Sequence, residues 1–355
     1  GGIGGGEGMS SSTTGLLFDE RFLEHDDPTH FENARRLQAI NALLDQSGIR
    51  RELTALVGRP ATEREIRAVH TPRLIEELQF LAYEGGGSLD PDTYLTGDSW
   101  VAACCAAGGV IHATEAVIRG EVDNAFALVR PPGHHATPNR SMGFCLINNV
   151  AIAAQYALDV IGLERIAIVD WDTHHGNGTQ DIFYAEKRVL YCSTHTWPLF
   201  PGTGFWREMG TGAGMGTTLN VPLPYYLNDD GYNRVYDELI VPAVRRFQPE
   251  IILVSAGYDA HWADPLAPMN ASVAGYAAIA QKVYNLAAEV CSGRLVCALE
   301  GGYDLQALAA GVLATLRVLQ GRPDLVEDPL GTRAGPTPDI DAVVDNLLRS
   351  HPLLA

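Results

Sequence analysis

Residues 170–178 combine two aspartates, two histidines and two glycines, and they directly follow an apolar run at 166–169. The β-branched run is typical of a buried strand, so the polar stretch is predicted to form the loop at its carboxyl end. In extended backbone Asp172 and His174 face the same side, which brings a carboxylate and an imidazole together. Such a pair suits a divalent metal. Aspartate, threonine, asparagine and glycine also form helix caps and turns, which is the alternative interpretation.

A third candidate ligand, Asp259, follows another apolar run at 251–254. Two carboxylates and one imidazole leave coordination positions open for water and a substrate oxygen. That arrangement is typical of a catalytic metal, because structural sites are closed by four protein ligands. The metal would polarise an acyl oxygen and acidify a bound water. Zinc and ferrous iron both accept this ligand set.

Two tandem histidines, His134 and His135, follow the rigid Pro-Pro-Gly sequence at 131–133. Paired imidazoles suit proton transfer at neutral pH, with Asp170 and Asn177 as acceptors that could orient them. Metal ligation is the alternative, and we favour proton transfer because the three residues above already supply enough ligands.

Five apolar runs end abruptly in polar residues, at 126–129, 166–169, 189–192, 251–254 and 295–299. Helical patterns lie between several of them, one with Ser272 as a plausible N-cap. Alternating strands and helices predict an α/β fold with a parallel sheet covered on both faces. Ligands bind beyond the carboxyl ends of such strands. The last run leads to Tyr303, whose hydroxyl can donate to a developing oxyanion, unless its ring is simply packed in the core.

The amino-terminal half supplies further elements. We predict a short strand at 16–18, a helix ending near Asp45, helices at 63–69, 72–82 and 100–119, and a loop from Gly85 to about Ser99. Neither an internal repeat nor a linker interrupts the chain, which predicts one catalytic domain spanning 9–355. Residues 1–8 are nearly all glycine, and we interpret them as a remnant of cloning.

The 355 residues carry a formal net charge of −18, which argues against binding to a nucleic-acid backbone. An acidic field suits a cationic substrate or simply keeps the protein in solution. We find no apolar stretch of about 18 residues and no signal peptide, so we expect a cytoplasmic protein without a membrane span. Six scattered cysteines are expected to be reduced.

Several long motifs occur in one order along the chain, at 130–136, 143–145, 170–178, 200–204, 255–259, 264–266 and 300–303. In these motifs the sequence resembles the zinc-dependent histone deacetylases, of the class II type with bacterial amidohydrolase relatives. The resemblance covers about residues 16–320. It implies the arginase-like three-layer α/β/α sandwich around a central parallel sheet.

The same resemblance implies a role for each matching residue. The implied zinc ligands are Asp172, His174 and Asp259. His135 would be the general base and then the acid for the leaving amine, with His134 as its electrostatic partner held by Asp170. Asn177, an aspartate in class I members, would orient His135 without adding charge, and Tyr303 would hydrogen-bond the acyl oxygen.

For the substrate, the resemblance implies an acyl-lysine channel between Phe144 and Phe200, with Gly143 accepting a hydrogen bond from the substrate amide. Asp98 falls where the family contacts the substrate backbone. Leu266 stands where polyamine-selective members place a glutamate, which disfavours acetylpolyamines. The family also binds potassium, and the matching residues here are Asp170, Asp172, His174, Ser193 and Thr194, with Phe183 and Val189 at a second site. The first loop, at 30–36, lacks both prolines of the family pattern.

We therefore expect a metal-dependent amidohydrolase that removes acetyl or other acyl groups from Nε-acyl-lysine or related acylated amines and is inhibited by hydroxamates. Acetylpolyamine hydrolysis is the second hypothesis, and a non-catalytic binder of acylated peptides is the third. Binuclear ureohydrolase chemistry would need more aspartates than the three candidate ligands offer. A homo-oligomer remains compatible with the sequence.

Overall fold

The computed structural model describes residues 12–355, so the glycine-rich segment at 1–8 lies outside the described residues. Its centre is an eight-stranded sheet with the order β2-β1-β5-β10-β9-β6-β7-β8, in which every neighbouring pair is parallel. The strands of the described residues are β1 Thr14–Leu17, β2 Thr54–Leu56, β3 Gly86–Asp90, β4 Thr93–Thr96, β5 Asn124–Ala127, β6 Ile166–Asp170, β7 Val189–Thr196, β8 Thr218–Leu223, β9 Ile251–Ala256 and β10 Leu295–Leu299. Strands β3 and β4 pair with each other and do not belong to the large sheet.

Helices lie between most of the strands, as the alternating pattern predicted. They are α1 Arg35–Ser47, α2 Glu63–Arg67, α3 Pro72–Tyr83, α4 Ser99–Ile118, α5 Asn149–Tyr156, α6 Asn177–Phe183, α7 Asp229–Val235, α8 Val241–Phe247, α9 Val273–Cys291, α10 Leu305–Leu319 and α11 Asp341–Ser350. The Ser272 side chain accepts a hydrogen bond from the Gly275 amide at 3.0 Å, so it caps α9 as expected.

The central strands are apolar along their whole length because helices cover both faces of the sheet. All residues of β6, β9 and β10 are buried. Helix α10 packs against both α1 and α9, and α4 packs against α5; both groups contact the central strands. The predicted three-layer sandwich with a parallel sheet is therefore confirmed.

The structure corrects the predicted loop between Gly85 and Ser99, because β3 and β4 form an antiparallel hairpin there. The glycines hid the alternation that shows in β4, where Thr93 and Leu95 are buried and their neighbours partly exposed. The hairpin also makes a tertiary contact, since the Thr93 hydroxyl accepts a hydrogen bond from the Phe144 amide at 3.1 Å.

A second correction concerns α4. This helix is long and apolar enough to cross a membrane, whereas we expected no apolar stretch of that length from the sequence. Its mean hydropathy over an 18-residue window is 1.6, and 78% of that window is buried inside the protein. Alanine, glycine and cysteine let α4 pack closely against β5, β10 and α5. Its apolar character is thus explained by its place in the core.

The order of the sheet decides where the polar loops meet. Strands β6 and β9 are neighbours, with Asp170 in register with Ser255, and β10 lies beside β9. Because the strands are parallel, the loops after all three leave from the same edge.

Candidate active site

Asp172, His174 and Asp259 converge at the carboxyl ends of β6 and β9. His174 Nδ1 lies 3.2 Å from Asp172 Oδ1 and 3.0 Å from Asp259 Oδ2. The ligand atoms of the three side chains all lie within 4.8 Å of one another. The three predicted ligands are therefore brought together, with carboxylate and imidazole donors of the kind that bind zinc.

Backbone amides hold both carboxylates in place. Asp172 accepts hydrogen bonds from the amides of His174 and Gly301, each at 2.8 Å, and Asp259 accepts one from Thr173 at 2.9 Å. Burial disfavours a charged His174, but Asp172 and Asp259 outweigh this and raise its pKa to about 10. The negative field is strong enough to favour a cation, so the residues present fit a divalent metal.

The tandem histidines lie beside this cluster, each held by a different partner. His134 Nδ1 donates to Asp170 Oδ2 at 2.9 Å, and Asp170 also accepts the Tyr191 hydroxyl at 2.8 Å. His135 Nδ1 donates to Asn177 Oδ1 at 2.8 Å. The imidazole rings of the two histidines are 4.1 Å apart. The structure thus pairs each histidine with the acceptor that the sequence had suggested.

The environment drives the pKa values of the two histidines apart. Burial disfavours charge on His134, but Asp170, Asp172 and Glu300 hold its pKa well above the ordinary value. Burial lowers the pKa of His135 well below the ordinary value, and the charges of His134 and His174 lower it further. Two titrating groups with opposite shifts are typical of an acid–base site, with His135 as the neutral member.

A cavity of about 400 Å³ opens onto the candidate metal ligands Asp172 and His174 and is walled by aromatic rings. Its lining includes the predicted residues Gly143, Phe144, Phe200, Leu266, His134, His135, Asp172, His174 and Tyr303. The ring of Phe144 meets that of Tyr303 edge-on at 5.7 Å, and Phe200 lies 5.2 Å from the His135 ring. Among residues 12–355 nothing hydrogen-bonds the Tyr303 hydroxyl, which leaves it available to a ligand.

The wall at Gly143 needs glycine, for two reasons. Its φ is +57°, and a Cβ atom there would lie 2.5 Å from His135 Cδ2 and 2.9 Å from the Phe200 ring. Phe144 follows with φ +70°, a strained value for a large side chain. The backbone of Phe144 is thus strained where this residue lines the cavity.

Asp98 does not line the cavity; it is exposed immediately before α4, on the far side of the hairpin from the loop at 91–92. The hairpin contributes two other aspartates to the cavity lining, Asp90 and Asp92 at its tip. The prediction missed them because it took the whole segment as a loop leading to Asp98. Two acids flanking Pro91 were the available signal. Arg140 also lines the cavity and had not been singled out.

The residues predicted to bind potassium fall into two places. Ser193 is in register with Asp170 across β6 and β7, next to the metal cluster. The Thr194 hydroxyl is buried and has no hydrogen-bond partner within the described part of the chain. Phe183 ends α6 and Val189 begins β7, four residues before Ser193, which is about 13 Å away along an extended strand.

Two buried ionic groups support the site. Glu32 pairs with Arg36 at 2.5 Å and Arg130 at 2.7 Å, and Arg36 donates to the backbone oxygens of Glu300 and Gly302 at 2.7 Å. The loop at 30–36 therefore contacts the turn that carries Tyr303, although it lacks the two prolines of the family pattern. The Glu300 carboxylate in turn accepts the amides of residues 133 and 134 at 2.9 and 3.2 Å.

Several known proteins are similar to this chain. Residues 30–319 match the family model described as the histone deacetylase domain. A probable deacetylase of Archaeoglobus fulgidus is 45% identical over 298 residues, 82% of each chain. The histone deacetylase-like amidohydrolase of Pseudomonas aeruginosa is 38% identical over 302 residues, 85% of this chain and 80% of that protein.

A plant protein and a solved structure extend the comparison. The chloroplastic histone deacetylase 10 of Oryza sativa subsp. japonica is 38% identical over 353 residues, 93% of this chain and 79% of that protein. The crystal structure of the HDA15 HD domain has a TM-score of 0.87 and 35% identity, covering 97% of each chain.

Proposed function

The chain belongs to the histone deacetylase family of hydrolytic deacetylases, and we propose that it removes acetyl groups from the Nε amine of lysine side chains. The observation that carries the proposal is the aromatic-walled cavity of about 400 Å³ that ends on Asp172 and His174, with both tandem histidines and Tyr303 in its lining. An unbranched lysine stem fits such a channel and places its acyl amide at the cluster.

The proposed resident metal is zinc, with ferrous iron as the alternative, held by Asp172, His174 and Asp259. When bound, it would polarise the acyl carbonyl and acidify the attacking water.

The protein's own groups handle the protons. Because the Nδ1 proton of His135 is donated to Asn177, the Nε2 atom is left as the base that takes the proton of the attacking water. The same atom then protonates the amine nitrogen as the C–N bond breaks, which releases acetate and the free amine. The positive charge of His134, which is hydrogen-bonded to Asp170, lowers the pKa of His135 and keeps it neutral before the reaction. The Tyr303 hydroxyl donates to the oxyanion that forms on the acyl oxygen.

Acetylpolyamines are the second candidate substrates. The apolar Leu266 in the cavity wall disfavours them, whereas Asp90 and Asp92 at its mouth would attract a cationic chain. We favour acetyl-lysine because the cavity wall is apolar at Leu266, where polyamine-selective members of the family place a glutamate.

Potassium is proposed at Asp170, Asp172, His174, Ser193 and Thr194, which lie together around the ends of β6 and β7. The unpartnered Thr194 hydroxyl supports an additional ligand there. A second ion near Phe183 and Val189 would be structural, since it would lie at the opposite end of β7 from the metal cluster. The proposal includes a cytoplasmic location, which the six free cysteines support.

The test is turnover of a fluorogenic acetyl-lysine peptide and of acetylspermidine by zinc-loaded protein, with and without a hydroxamate. We expect hydroxamate-sensitive cleavage of the peptide, and a roughly 10²–10³-fold lower kcat for Tyr303→Phe because one oxyanion donor is lost. Tyr284→Phe, remote from the cavity, is the matched control. Cleavage of acetylspermidine alone would replace the lysine proposal. Peptide binding without any turnover would instead favour the third hypothesis, a non-catalytic binder of acylated peptides.

A further inference from the structure

A second set of hollows continues the catalytic cavity across the surface. Leu266 lines both the catalytic cavity and a neighbouring hollow of about 390 Å³. That hollow shares Tyr226 and Arg333 with a third one of about 430 Å³. Together they form a trough, which we define by Tyr226, Trp262, Pro265, Pro268, Asn270 and Arg333.

The outer wall of the trough comes from residues 333–338, which lie beyond the region 30–319 that matches the family model. This segment is tied to the domain at both ends. The Trp262 indole donates to the Gly331 carbonyl at 2.9 Å, and the Asn228 side-chain amide donates to the Thr337 hydroxyl at 3.0 Å. The trough is therefore built partly by a segment outside the shared domain.

Three observations indicate that the trough binds a ligand. Tyr226 has a φ of +65°, which is strained for a large side chain, and the residue is 53% exposed. The strained backbone therefore holds an aromatic ring at the surface. Asn270 is only 8% exposed, yet its side-chain oxygen has no hydrogen-bond partner among residues 12–355. The Arg333 guanidinium is exposed and has no carboxylate within 4.0 Å in the same part of the chain.

We propose that the trough binds the polypeptide that flanks the acetylated lysine and that Arg333 selects an acidic residue in it. The inference rests on the proposed function, since the lysine must occupy the adjoining cavity. Proline and aromatic walls suit an extended chain, the Asn270 amide can pair with its backbone, and Arg333 offers the charge complementary to aspartate or glutamate. A polyamine has neither an apolar side chain nor an acid to place there.

The test uses acetyl-lysine peptides that differ only in the position of one aspartate, each matched by the alanine peptide, with Nε-acetyl-lysine amide as a substrate too short to reach the trough. We expect one position at which aspartate raises kcat/KM by about three- to fivefold, the effect of an exposed ion pair, and loses that advantage at high salt. Arg333→Glu should reverse the preference to lysine at that position and leave the short substrate unchanged.

Arg51→Glu is the matched control, because Arg51 is also exposed but precedes β2 at the amino edge of the sheet. Tyr226→Gly is the second variant. Glycine relieves the strain, so thermal stability should not fall, while kcat/KM for the peptides should fall by about threefold. An unchanged aspartate preference in Arg333→Glu, an equal loss on the short substrate, or no preference in the wild type would overturn the proposal.

The trough and the catalytic proposal are tested separately by measuring binding of the labelled peptides to Tyr303→Phe protein by fluorescence anisotropy. A preference for the aspartate peptide that disappears in the double variant with Arg333→Glu would support the trough even if turnover failed. Equal binding of all peptides would refute it even if turnover succeeded.

Discussion

At the residue scale, the two histidines of the proposed acid–base pair have different partners. The carboxylate of Asp170 accepts from His134, whereas the neutral amide of Asn177 accepts from His135. A carboxylate stabilises an imidazolium and an amide only orients the ring. The role proposed for His135 as a neutral base therefore requires an uncharged residue at position 177.

This difference predicts the effect of Asn177→Asp on the pH profile. A carboxylate at that position should raise the pKa of His135, and the base is active only when neutral, above its pKa. The acidic limb of kcat/KM should therefore move to higher pH by about one unit or more. The measurement is the pH profile with an acetyl-lysine peptide, and Asn285→Asp, on the exposed face of α9, is the control. A profile identical to that of the wild type would contradict the role assigned to His135.

At the scale of elements, the loop before α1 and the loop after β10 are joined through one buried carboxylate. Glu32 lies between the guanidinium groups of Arg36 and Arg130, all fully buried, and Arg36 continues to the carbonyl of Gly302. Removing one member of such a group leaves a buried charge without its partner, which is costly. The turn that carries Tyr303 thus depends on an acid near the start of the chain.

Glu32→Gln should lower the free energy of unfolding by about 3–5 kcal/mol at neutral pH. Burial opposes ionisation of Glu32, but Arg130 and Arg36 lower its pKa to about 2, against about 4.3 in an unfolded chain. Its contribution is therefore complete above about pH 4.3 and is lost as the pH falls towards 2.

Denaturant unfolding at several pH values measures this effect, with the exposed Glu121→Gln as control. The variant should lose part of the acid dependence between about pH 4.3 and 2. The same dependence in wild type and Glu32→Gln would show that other groups cause it.

At the scale of the whole molecule, the three candidate metal ligands come from strands that are distant in sequence. Asp172 and His174 follow β6, Asp259 follows β9, and the two strands are neighbours at the centre of the sheet. Because the site forms only in the folded chain, binding of the proposed metal would add to the stability of the entire domain.

We expect a chelator to lower the Tm of the wild-type protein, since zinc at about a thousand times its Kd contributes about 4 kcal/mol. Asp259→Ala should lose bound zinc and show the same Tm with and without chelator. The control Asp230→Ala, an exposed change in α7, should keep the full response. Undiminished zinc in Asp259→Ala, measured by elemental analysis, would exclude Asp259 as a ligand.

The sequence by itself determined the parallel sheet, the candidate ligand pair at Asp172 and His174, and the tandem histidines. The signals for these features are local: apolar runs of strand length, a two-residue spacing, and adjacent residues in one motif. Helix α9 was equally predictable, because its cap at Ser272 and its apolar face lie in one short segment.

Only the tertiary structure decided which acids reach the mouth of the cavity, where Asp90 and Asp92 lie and Asp98 does not. It alone revealed the hairpin of β3 and β4, whose alternation was masked by glycine. It also brought Glu32 to Arg130, which is 98 residues away, and Arg333 to the rim beside Leu266. Such contacts depend on the order of strands in the sheet and on long-range packing, and neither leaves a periodic signal in the chain.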